Sequence, residues 1–337
     1  MAGDGSEGEI MDYVTVGSTG VQVSPLCFGT MSFGSEADEQ TSTEMFYRVR
    51  EAGINFFDTA DAYGDGASEK ILGSLVSDCR DEVVLGSKVF NATGRDVNAR
   101  GLSRRHIIRG VEASLKRLRT DWLDFYFVHA FDMRTPIEQT LRALDALQQQ
   151  GKILYPAVSN WAAWQIATAL GISAREGLAR FELIQPMYNL VRRHAEVEVL
   201  PLAAAERLGV ITYSPLGGGL LTGKYGTSER PDNGRLVDDP RYVSRYSLET
   251  DFATADRFTE FAQKLDVKPA TLAVAWTMSH PDVTAAIIGA RNLTQLEDSL
   301  AALDVEMTND LREEISALSP TPPPATDRTE TLKPNWA

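Results

Sequence analysis

Four side chains with complementary chemistry stand at or just beyond the ends of three apolar segments. Asp58 ends the run INFFD, and Tyr63 follows it by five residues. Lys88 ends the run VVLGSK, and His129 ends LDFYFVH. A single polar residue after an apolar run is usually a cap or a turn residue. An acid, a base and an imidazole at successive run ends are not typical of capping, so we interpret the four residues as a candidate catalytic group.

The chemistry that these groups could share is general acid catalysis. A tyrosine phenol has an ordinary pKa near 10, and the ammonium group of Lys88 would lower the pKa of Tyr63 by stabilising the phenolate. Asp58 would hold Lys88 in place, and His129 would hydrogen-bond a substrate oxygen. Tyr63 would then donate a proton to a developing alkoxide. The sequence has no serine nucleophile elbow, HExxH motif or clustered Cys/His site. We therefore expect no metal. The alkoxide that Tyr63 protonates needs a source, and transfer of a hydride from a nicotinamide to a carbonyl group would form it.

Eight short apolar runs alternate with helix-like segments and set the expected fold. Nearly continuous apolar runs at this spacing are typical of parallel strands covered on both faces and joined by helices. A doubly wound sheet and a (β/α)8 barrel both fit, but no GxGxxG follows any run, which favours the barrel. In a barrel the polar run ends would converge on one mouth. The runs cover residues 25–29, 54–58, 83–88, 123–129, 153–160, 182–186, 210–215 and 285–290.

Two further segments are expected to complete the barrel. Residues 13–24 predict a β-hairpin that turns at Gly17–Gly20 and plugs the bottom of the barrel. Residues 217–250 are too long for a plain connection after the seventh strand, and long loops of this kind are commonly functional, so we expect a lid there. The clearest helix-like segments are 41–53, 103–118 and 136–151.

Length and composition fit one large domain. We expect a single barrel domain over 1–337, with its core at about 12–318 and tails at 1–11 and 320–337. Aspartate and glutamate exceed lysine and arginine by 47 to 33, which gives a formal net charge of −14. This charge disfavours nucleic acids and acidic membrane surfaces as partners. A salt-rich habitat is an alternative explanation of the acidity.

The expected location is the cytoplasm. The two cysteines, Cys27 and Cys79, have no CxxC or metal-ligand spacing and make no disulfide framework. The first twelve residues are acidic and lack the apolar region of a signal peptide. No apolar run approaches the roughly 20 residues that a membrane-spanning helix needs.

Several motifs together resemble the aldo-keto reductase superfamily over about residues 12–318. The likeness is to the bacterial branch that also includes the potassium-channel β-subunits, more than to the mammalian aldose-reductase branch. The resemblance implies a catalytic tetrad at Asp58, Tyr63, Lys88 and His129, with Tyr63 as proton donor. Channel-associated members of the family can lack the histidine of the tetrad. The presence of His129 therefore favours an active reductase over a purely regulatory subunit. The motifs are FDTADAYG followed by Ser68-Glu69, GSK (86–88), LDFYFVH (123–129), VSNW (158–161), IQPMYNL (184–190), YSPLGGGLLTGKY (213–225) and IIGARNLTQLED (287–298).

The resemblance also implies a cofactor lying across the barrel mouth. Ser159, Asn160 and Gln185 would face the nicotinamide carboxamide, and Tyr213 would stack on its ring. Arg291 would pair with a 2′-phosphate, which favours NADP (as NADPH) over NAD. Residues 214–217 and Lys224 would hold the pyrophosphate, and Gly289, Gln295 and Asp298 would meet the adenosine end. The full expected set is Thr30, Met31, Asp58, Ser159, Asn160, Gln185, Tyr213, Ser214, Pro215, Leu216, Gly217, Lys224, Gly289, Arg291, Gln295, Asp298 and Ser299.

The function implied is NADPH-dependent reduction of aldehydes or ketones to alcohols. The partner would be a small-molecule carbonyl compound, with no nucleic acid or membrane, and the protein would be a monomer or homo-oligomer. The alternative is an NADP-binding regulatory or redox-sensing subunit with slow turnover. A barrel hydrolase or isomerase would need a metal or phosphate site that the sequence does not display.

Four local expectations complete the sequence interpretation. Pro156 removes a ladder donor and predicts an irregular fifth barrel strand. Phe33, Phe131 and Trp161 could form an apolar substrate wall. Arg192 and Arg193 could reach a negatively charged substrate, but we expect them to lie in a solvated loop. Asp298 and Ser299 stand where the family more often has Glu and Asn, so different adenine contacts are expected.

Overall fold

A computed structural model describes residues 11–228 and 230–326 of the chain. Eight parallel strands close into a barrel in chain order, with the last strand paired to the first. A separate two-stranded antiparallel sheet precedes them. The predicted (β/α)8 barrel with an N-terminal hairpin is confirmed. The strands are β1 (Val14–Thr15), β2 (Gln22–Val23), β3 (Leu26–Gly29), β4 (Phe56–Asp58), β5 (Val84–Val89), β6 (Leu123–Val128), β7 (Ile153–Ser159), β8 (Leu183–Gln185), β9 (Gly209–Thr212) and β10 (Ala285–Ile288).

Helices follow the barrel strands and cover the outside of the sheet. Where the caps are made by side chains, the helix starts follow from the sequence: Asp38 accepts from the Thr41 N–H, and Ser103 accepts from the His106 N–H. The helices are α1 (Glu39–Glu51), α2 (Ala67–Val76), α3 (Arg104–Leu118), α4 (Ile137–Gln149), α5 (Ala163–Glu176), α6 (Val199–Glu206), α7 (Arg235–Asp238), α8 (Pro240–Arg245), α9 (Glu249–Lys264), α10 (Pro269–Met278), α11 (Leu293–Leu300) and α12 (Asn309–Ser316).

Strand alternation decides which side chains face the barrel axis. In β4, Phe56 belongs to the apolar cluster inside the barrel, and Phe57 belongs to the larger cluster between sheet and helices. Because side chains alternate along a strand, Asp58 faces inward with Phe56. The same alternation in β5 sends Val84 and Lys88 inward. The two charged residues therefore meet near the axis at the carboxyl ends of adjacent strands.

The hairpin closes the opposite end of the barrel. Val16 and Val23 pack into the apolar cluster inside the barrel. Gly17 of the hairpin packs against the start of β9 and has a positive φ of 50°. A Cβ on Gly17 would come 2.6 Å from the backbone nitrogen of Gly209. Only glycine fits both this conformation and this approach. The hairpin covers the amino ends of the strands, as predicted.

Pro156 does not interrupt β7, contrary to expectation. The strand runs from Ile153 to Ser159, and Pro156 pairs in register with Tyr126 of β6. In a strand, the backbone nitrogen and the carbonyl of one residue point to the same side. The Pro156 carbonyl accepts from the Glu182 N–H at 3.0 Å, so the Pro156 nitrogen also points toward the segment that leads into β8. The missing N–H therefore faces chain that precedes β8, where it costs no bond within the barrel ladder.

The long segment after β9 carries its own short helices. A 3-10 turn at Gly217–Thr222 is followed by α7 and α8 before α9 begins. Arg235 of α7 reaches across to Glu36, which follows β3, with nitrogen-to-oxygen distances of 3.1 Å. Within the two described ranges, no helix combines the length and apolarity needed to cross a membrane.

Candidate active site

Lys88 lies at the centre of the contacts that unite the predicted catalytic group. Its Nζ donates to Oδ2 of Asp58 at 2.5 Å and to the Thr59 carbonyl at 2.8 Å. Its distance to the Tyr63 hydroxyl is 3.3 Å. Lys88 is fully buried and the Asp58 side chain is 4% exposed, so the ion pair is shielded from solvent. The structure brings three of the four predicted residues into direct hydrogen-bond contact.

A tight turn places Tyr63 over Lys88. The chain enters a 3-10 turn at Tyr63–Gly66, and the Tyr63 N–H bonds back to the Ala60 carbonyl at 3.2 Å. Gly64 and Gly66 have φ of 54° and 86°, a region that glycine enters without strain. This reversal returns the phenol to the strand ends, although Tyr63 lies outside any strand.

The pKa of Tyr63 is raised above its ordinary value, whereas the sequence predicted that it would be lowered. Burial raises the pKa of the phenol more than the Lys88 ammonium lowers it, and the Asp58 charge raises it further. Burial alone would lower the pKa of Lys88, but Asp58 and Tyr63 together raise it. The prediction that Lys88 lowers the Tyr63 pKa is right for its contribution and wrong for the net shift. The site holds a neutral phenol beside a charged ammonium.

His129 stands beside this pair as a neutral ring. Its centroid lies 6.0 Å from that of Tyr63 in an edge-on arrangement. Burial, and then the charge of Lys88, lower the pKa of His129 to about 3. The backbone of His129 is fixed by its N–H bond to the Val89 carbonyl at 3.0 Å and by the Asn160 amide, which donates to its carbonyl at 2.8 Å.

A chain of hydrogen bonds links the remaining polar strand ends to the ion pair. Gln185 donates from Nε2 to Oδ1 of Asp58 at 2.9 Å. Ser159 donates to the Gln185 carbonyl at 2.9 Å and receives a bond from the Asn160 amide at 3.0 Å. Tyr213 donates to Oδ1 of Asn160 at 2.7 Å. The predicted carboxamide-binding residues thus adjoin one another and the tetrad.

Three cations gather farther along the same mouth. The pKa of Lys224 is lowered by burial and by the nearby charges of Arg291 and Arg235. Glu36 lies between the two arginines, 3.1 Å from Arg235 and 3.7 Å from Arg291. Clustered cations in an acidic protein suit a phosphate-bearing ligand, which would compete with Glu36 for the same guanidinium groups. Sequence reasoning missed Arg235 and Glu36, which meet only in the folded chain.

A glycine-rich turn leads into the cation cluster. Ser214 has a positive φ of 60°, and its carbonyl accepts from the Gly217 N–H at 2.9 Å. A Cβ on Gly218 would come 2.7 Å from the Tyr242 ring, and one on Gly219 would come 3.4 Å from Lys224 Cε. Pro215 and Leu216 lie inside this turn. The glycines are therefore needed because Tyr242 and Lys224 pack closely over the turn.

The other predicted cofactor residues differ in their contacts and burial. Arg291 and Gln295 are in contact, since the Gln295 Oε1 accepts from the Arg291 N–H at 3.2 Å. Asp298 instead pairs with Lys268 at 2.6 Å, and Ser299 is buried with its hydroxyl directed to the Gln295 carbonyl. The remaining positions are Thr30, buried with its hydroxyl 2.8 Å from Ser68 Oγ, Met31, which is exposed, and Gly289, where a Cβ would approach the Gly29 carbonyl to 3.2 Å.

The aromatic wall is only partly as predicted. Phe131 packs edge-on against Trp161 at 4.9 Å and lies 6.2 Å from the ring of the exposed Trp164. Phe33 is fully buried and packs on Phe28 at 5.8 Å, so it lines the core and not the wall. Phe131 and the two tryptophans therefore form the aromatic cluster after β6 and β7.

The prediction of a solvated arginine pair is wrong. Arg192 makes a two-point ion pair with Asp251 at 2.8 Å, and Arg193 binds Glu196 at 2.9 Å. Arg193 also donates to the Ser316 carbonyl at 2.9 Å. These arginines connect the segment after β8 to α9 and α12, so their role is structural.

Comparison with known proteins agrees with this fold and these contacts. The sequence profile of the Aldo/keto reductase family matches residues 25–320. The chain belongs to the aldo/keto reductase family and is an oxidoreductase. Members of this family generally use NAD(P)H.

Three relatives are similar over most of their length. The chain is 36% identical over 326 residues to a probable voltage-gated potassium channel subunit beta of Oryza sativa subsp. japonica, covering 94% of this chain and 99% of that protein. It is 35% identical to the uncharacterized oxidoreductase YrpG of Bacillus subtilis (strain 168), covering 93% and 97%. It is 32% identical to versiconal hemiacetal acetate reductase of Aspergillus parasiticus, covering 88% and 94%.

Proposed function

We propose that this protein reduces aldehydes or ketones to alcohols with NADPH, with Tyr63 as the proton donor. The observation that carries the proposal is the contact of one buried ammonium, on Lys88, with both the Asp58 carboxylate and the Tyr63 hydroxyl. A phenol held neutral beside a fixed positive charge can release its proton when an acceptor develops, because the ammonium stabilises the phenolate that remains.

Each residue of the tetrad has a separate task in this proposal. A bound nicotinamide would supply the hydride to the carbonyl carbon. Tyr63 donates its proton to the carbonyl oxygen as negative charge develops there, and Lys88 stabilises the phenolate. Asp58 keeps Lys88 charged in a buried place and fixes its direction. His129 is neutral, so it hydrogen-bonds the same oxygen without a net charge of its own.

The preference for NADPH rests on the cation cluster. Arg235 and Arg291 both pair with Glu36 and lie near enough to Lys224 to lower its pKa, and the two guanidinium groups can form two-point contacts with a phosphate. NADH carries a ribose hydroxyl where NADPH carries the 2′-phosphate, so it would gain less from these charges.

A regulatory subunit is the second candidate, and the names of several relatives favour it. The rice protein is called a probable potassium channel subunit beta. Two other relatives carry the names oxidoreductase and reductase. The complete tetrad favours turnover, because a protein that only senses the cofactor does not need a proton donor. The predictions of a cytoplasmic location, a small carbonyl partner and a monomer or homo-oligomer are part of the proposal.

Steady-state turnover separates the two candidates. The full chain is mixed with NADPH or NADH and a panel of glyoxals, aromatic aldehydes, sugars and keto-sugars, and absorbance at 340 nm is followed. The proposal predicts multiple turnovers on at least one carbonyl, with a higher kcat/KM for NADPH than for NADH. Tight NADPH binding with no more than one turnover on every member of the panel contradicts it and favours the regulatory subunit.

A further inference from the structure

A side chain outside the tetrad contacts the ring of His129. Asn91 Nδ2 lies 3.3 Å from His129 Nδ1. β5 and β6 pair in parallel with Val89 opposite Val128, so the residues just after both strands emerge side by side at the mouth. The base of the loop that follows Asn91 is closed by the Gly101 N–H, which bonds to the Phe90 carbonyl at 2.8 Å. Asn91 is therefore held beside the ring by the sheet register.

The contact discriminates between the two neutral forms of the imidazole. A neutral histidine has one ring nitrogen that donates and one that accepts. In the structure the Asn91 amide presents its nitrogen to the ring, and because that nitrogen can only donate, this orientation requires Nδ1 of His129 to have no proton. The proton then resides on Nε2, which has no hydrogen-bond partner within residues 11–228 and 230–326. His129 is kept neutral by burial and by Lys88, which lower its pKa to about 3, so the choice of tautomer matters at all ordinary pH.

We propose that Asn91 is a positioning residue that holds His129 in the Nε2–H tautomer and so directs its single N–H toward the substrate carbonyl oxygen. The proposal rests on the proposed function for its catalytic consequence. The tautomer itself is a property of the protein without substrate and can be measured apart from turnover.

Substitutions at Asn91 change the partner of Nδ1 in opposite ways. Asn91→Asp replaces the amide donor by a carboxylate of the same shape, which accepts a hydrogen bond from Nδ1–H and so favours the opposite tautomer. Asn91→Leu keeps a similar volume and removes the bond, so the two tautomers become mixed. Asn98→Leu is the matched control, because Asn98 is exposed in the same loop and the hydrogen bond that fixes it there comes from its backbone N–H, which Asp96 accepts.

The decisive readout is the nitrogen spectrum of the full-length protein labelled with 15N-histidine. Long-range 1H–15N correlation at neutral pH distinguishes Nδ1–H from Nε2–H for each of the 4 histidines, and a His129→Gln sample assigns the relevant signals. We expect Nε2–H in the wild type and in Asn98→Leu, Nδ1–H in Asn91→Asp, and averaged signals in Asn91→Leu. Nδ1–H in the wild type, or an unchanged His129 spectrum in both Asn91 variants, overturns the proposal.

Kinetics test the catalytic consequence. With benzaldehyde or another aldehyde that the wild type reduces, kcat should fall at least about 10-fold in Asn91→Asp, toward the roughly 10²- to 10³-fold loss expected when one oxyanion donor is removed. In Asn91→Leu, where the productive tautomer is still populated, kcat should fall by only about twofold. The KM for NADPH should stay within about twofold, and Asn98→Leu should behave as wild type. A reversed tautomer with unchanged kcat overturns the positioning role. A wild type with the predicted tautomer but no turnover overturns the proposed function and leaves the tautomer assignment supported.

Discussion

The Lys88 ammonium and the Asp58 carboxylate meet at 2.5 Å in a place that solvent hardly reaches. Asp58 uses its other oxygen to accept from Gln185 at 2.9 Å, so both carboxylate oxygens are bonded. Breaking a buried ion pair by removing one partner costs more than replacing the pair, because the remaining charge is left without compensation. A substitution of Lys88 or Asp58 should therefore affect both the stability of the barrel and the proposed catalysis.

Lys88→Met should destabilise the fold as well as abolish reduction. We expect the free energy of unfolding to fall by about 3–5 kcal/mol, because the Asp58 charge stays buried without its partner. Urea denaturation of the variant and of the wild type measures this. The double variant Lys88→Met/Asp58→Leu should recover much of the lost stability and none of the activity. A double variant less stable than the single one would contradict a charge-based origin.

Arg291→Ala should change cofactor selectivity. Loss of a charged contact to phosphate costs about 1.5–3 kcal/mol, which is roughly a 10- to 100-fold rise in KM for NADPH, with a much smaller change for NADH. The control is Arg175→Ala, since Arg175 is exposed on α5 and pairs with the adjacent Glu176. Equal effects on NADPH and NADH would remove the 2′-phosphate assignment from Arg291.

Asp61 should make stability depend on pH. It is 3% exposed, and neither carboxylate oxygen has a hydrogen-bond partner within the described residues. Burial and the Glu69 charge raise its pKa to about 7, against smaller opposing effects of Arg117 and Lys88. Between about pH 4 and 7 the folded state thus holds a proton that the unfolded state has lost, and stability falls as pH rises.

The isosteric variant Asp61→Asn isolates this effect. It mimics the protonated acid, so its gain over wild type should be only about 1 kcal/mol at pH 4.5 and should grow to at most about 4 kcal/mol above pH 7. Thermal unfolding at both pH values measures the difference, with Asp65→Asn, on the exposed part of the same loop, as the control. A gain that is independent of pH would show that Asp61 is ionised at pH 4.5, or neutral at pH 8.

The reductive kcat should show no step from His129 or Tyr63 between about pH 5 and 9. His129 is neutral throughout because its pKa is lowered to about 3, and Tyr63 stays protonated because burial raises its pKa. Comparison of the kcat profiles of the wild type and Asp61→Asn removes any contribution of Asp61 near neutral pH. A loss of kcat below pH 7 that persists in Asp61→Asn and disappears in His129→Asn would contradict a neutral imidazole.

The fold and the contact of Lys88 with Asp58 and Tyr63 could be predicted because they depend on local pattern. Run lengths and the alternation of side chains along a strand were enough to bring Asp58 and Lys88 to one mouth. The net pKa of Tyr63 could not be predicted, because its sign depends on how deeply the turn at Tyr63–Gly66 is buried. Pro156 was misjudged because its tolerance depends on where β8 begins.

Contacts between distant segments were outside the reach of the sequence. Glu36 and Arg235 are 199 residues apart, and no motif connects them. Arg192 looks solvated beside its neighbours and is instead paired with Asp251, 59 residues later. Asn91 has no distinguishing sequence signal, and only the strand register brings it to the His129 ring.

The central claim is that Tyr63 donates the proton, and Tyr63→Phe tests it most directly. The variant removes one hydroxyl and keeps the ring, so binding of NADPH, followed by fluorescence titration, should stay within about twofold of wild type. Tyr47→Phe, on an exposed position of α1, is the control for the substitution itself. We predict that kcat for an aldehyde falls by about 10²–10⁴-fold in Tyr63→Phe alone, the usual contribution of a general acid. An unchanged kcat in Tyr63→Phe, with NADPH still bound, would contradict the account.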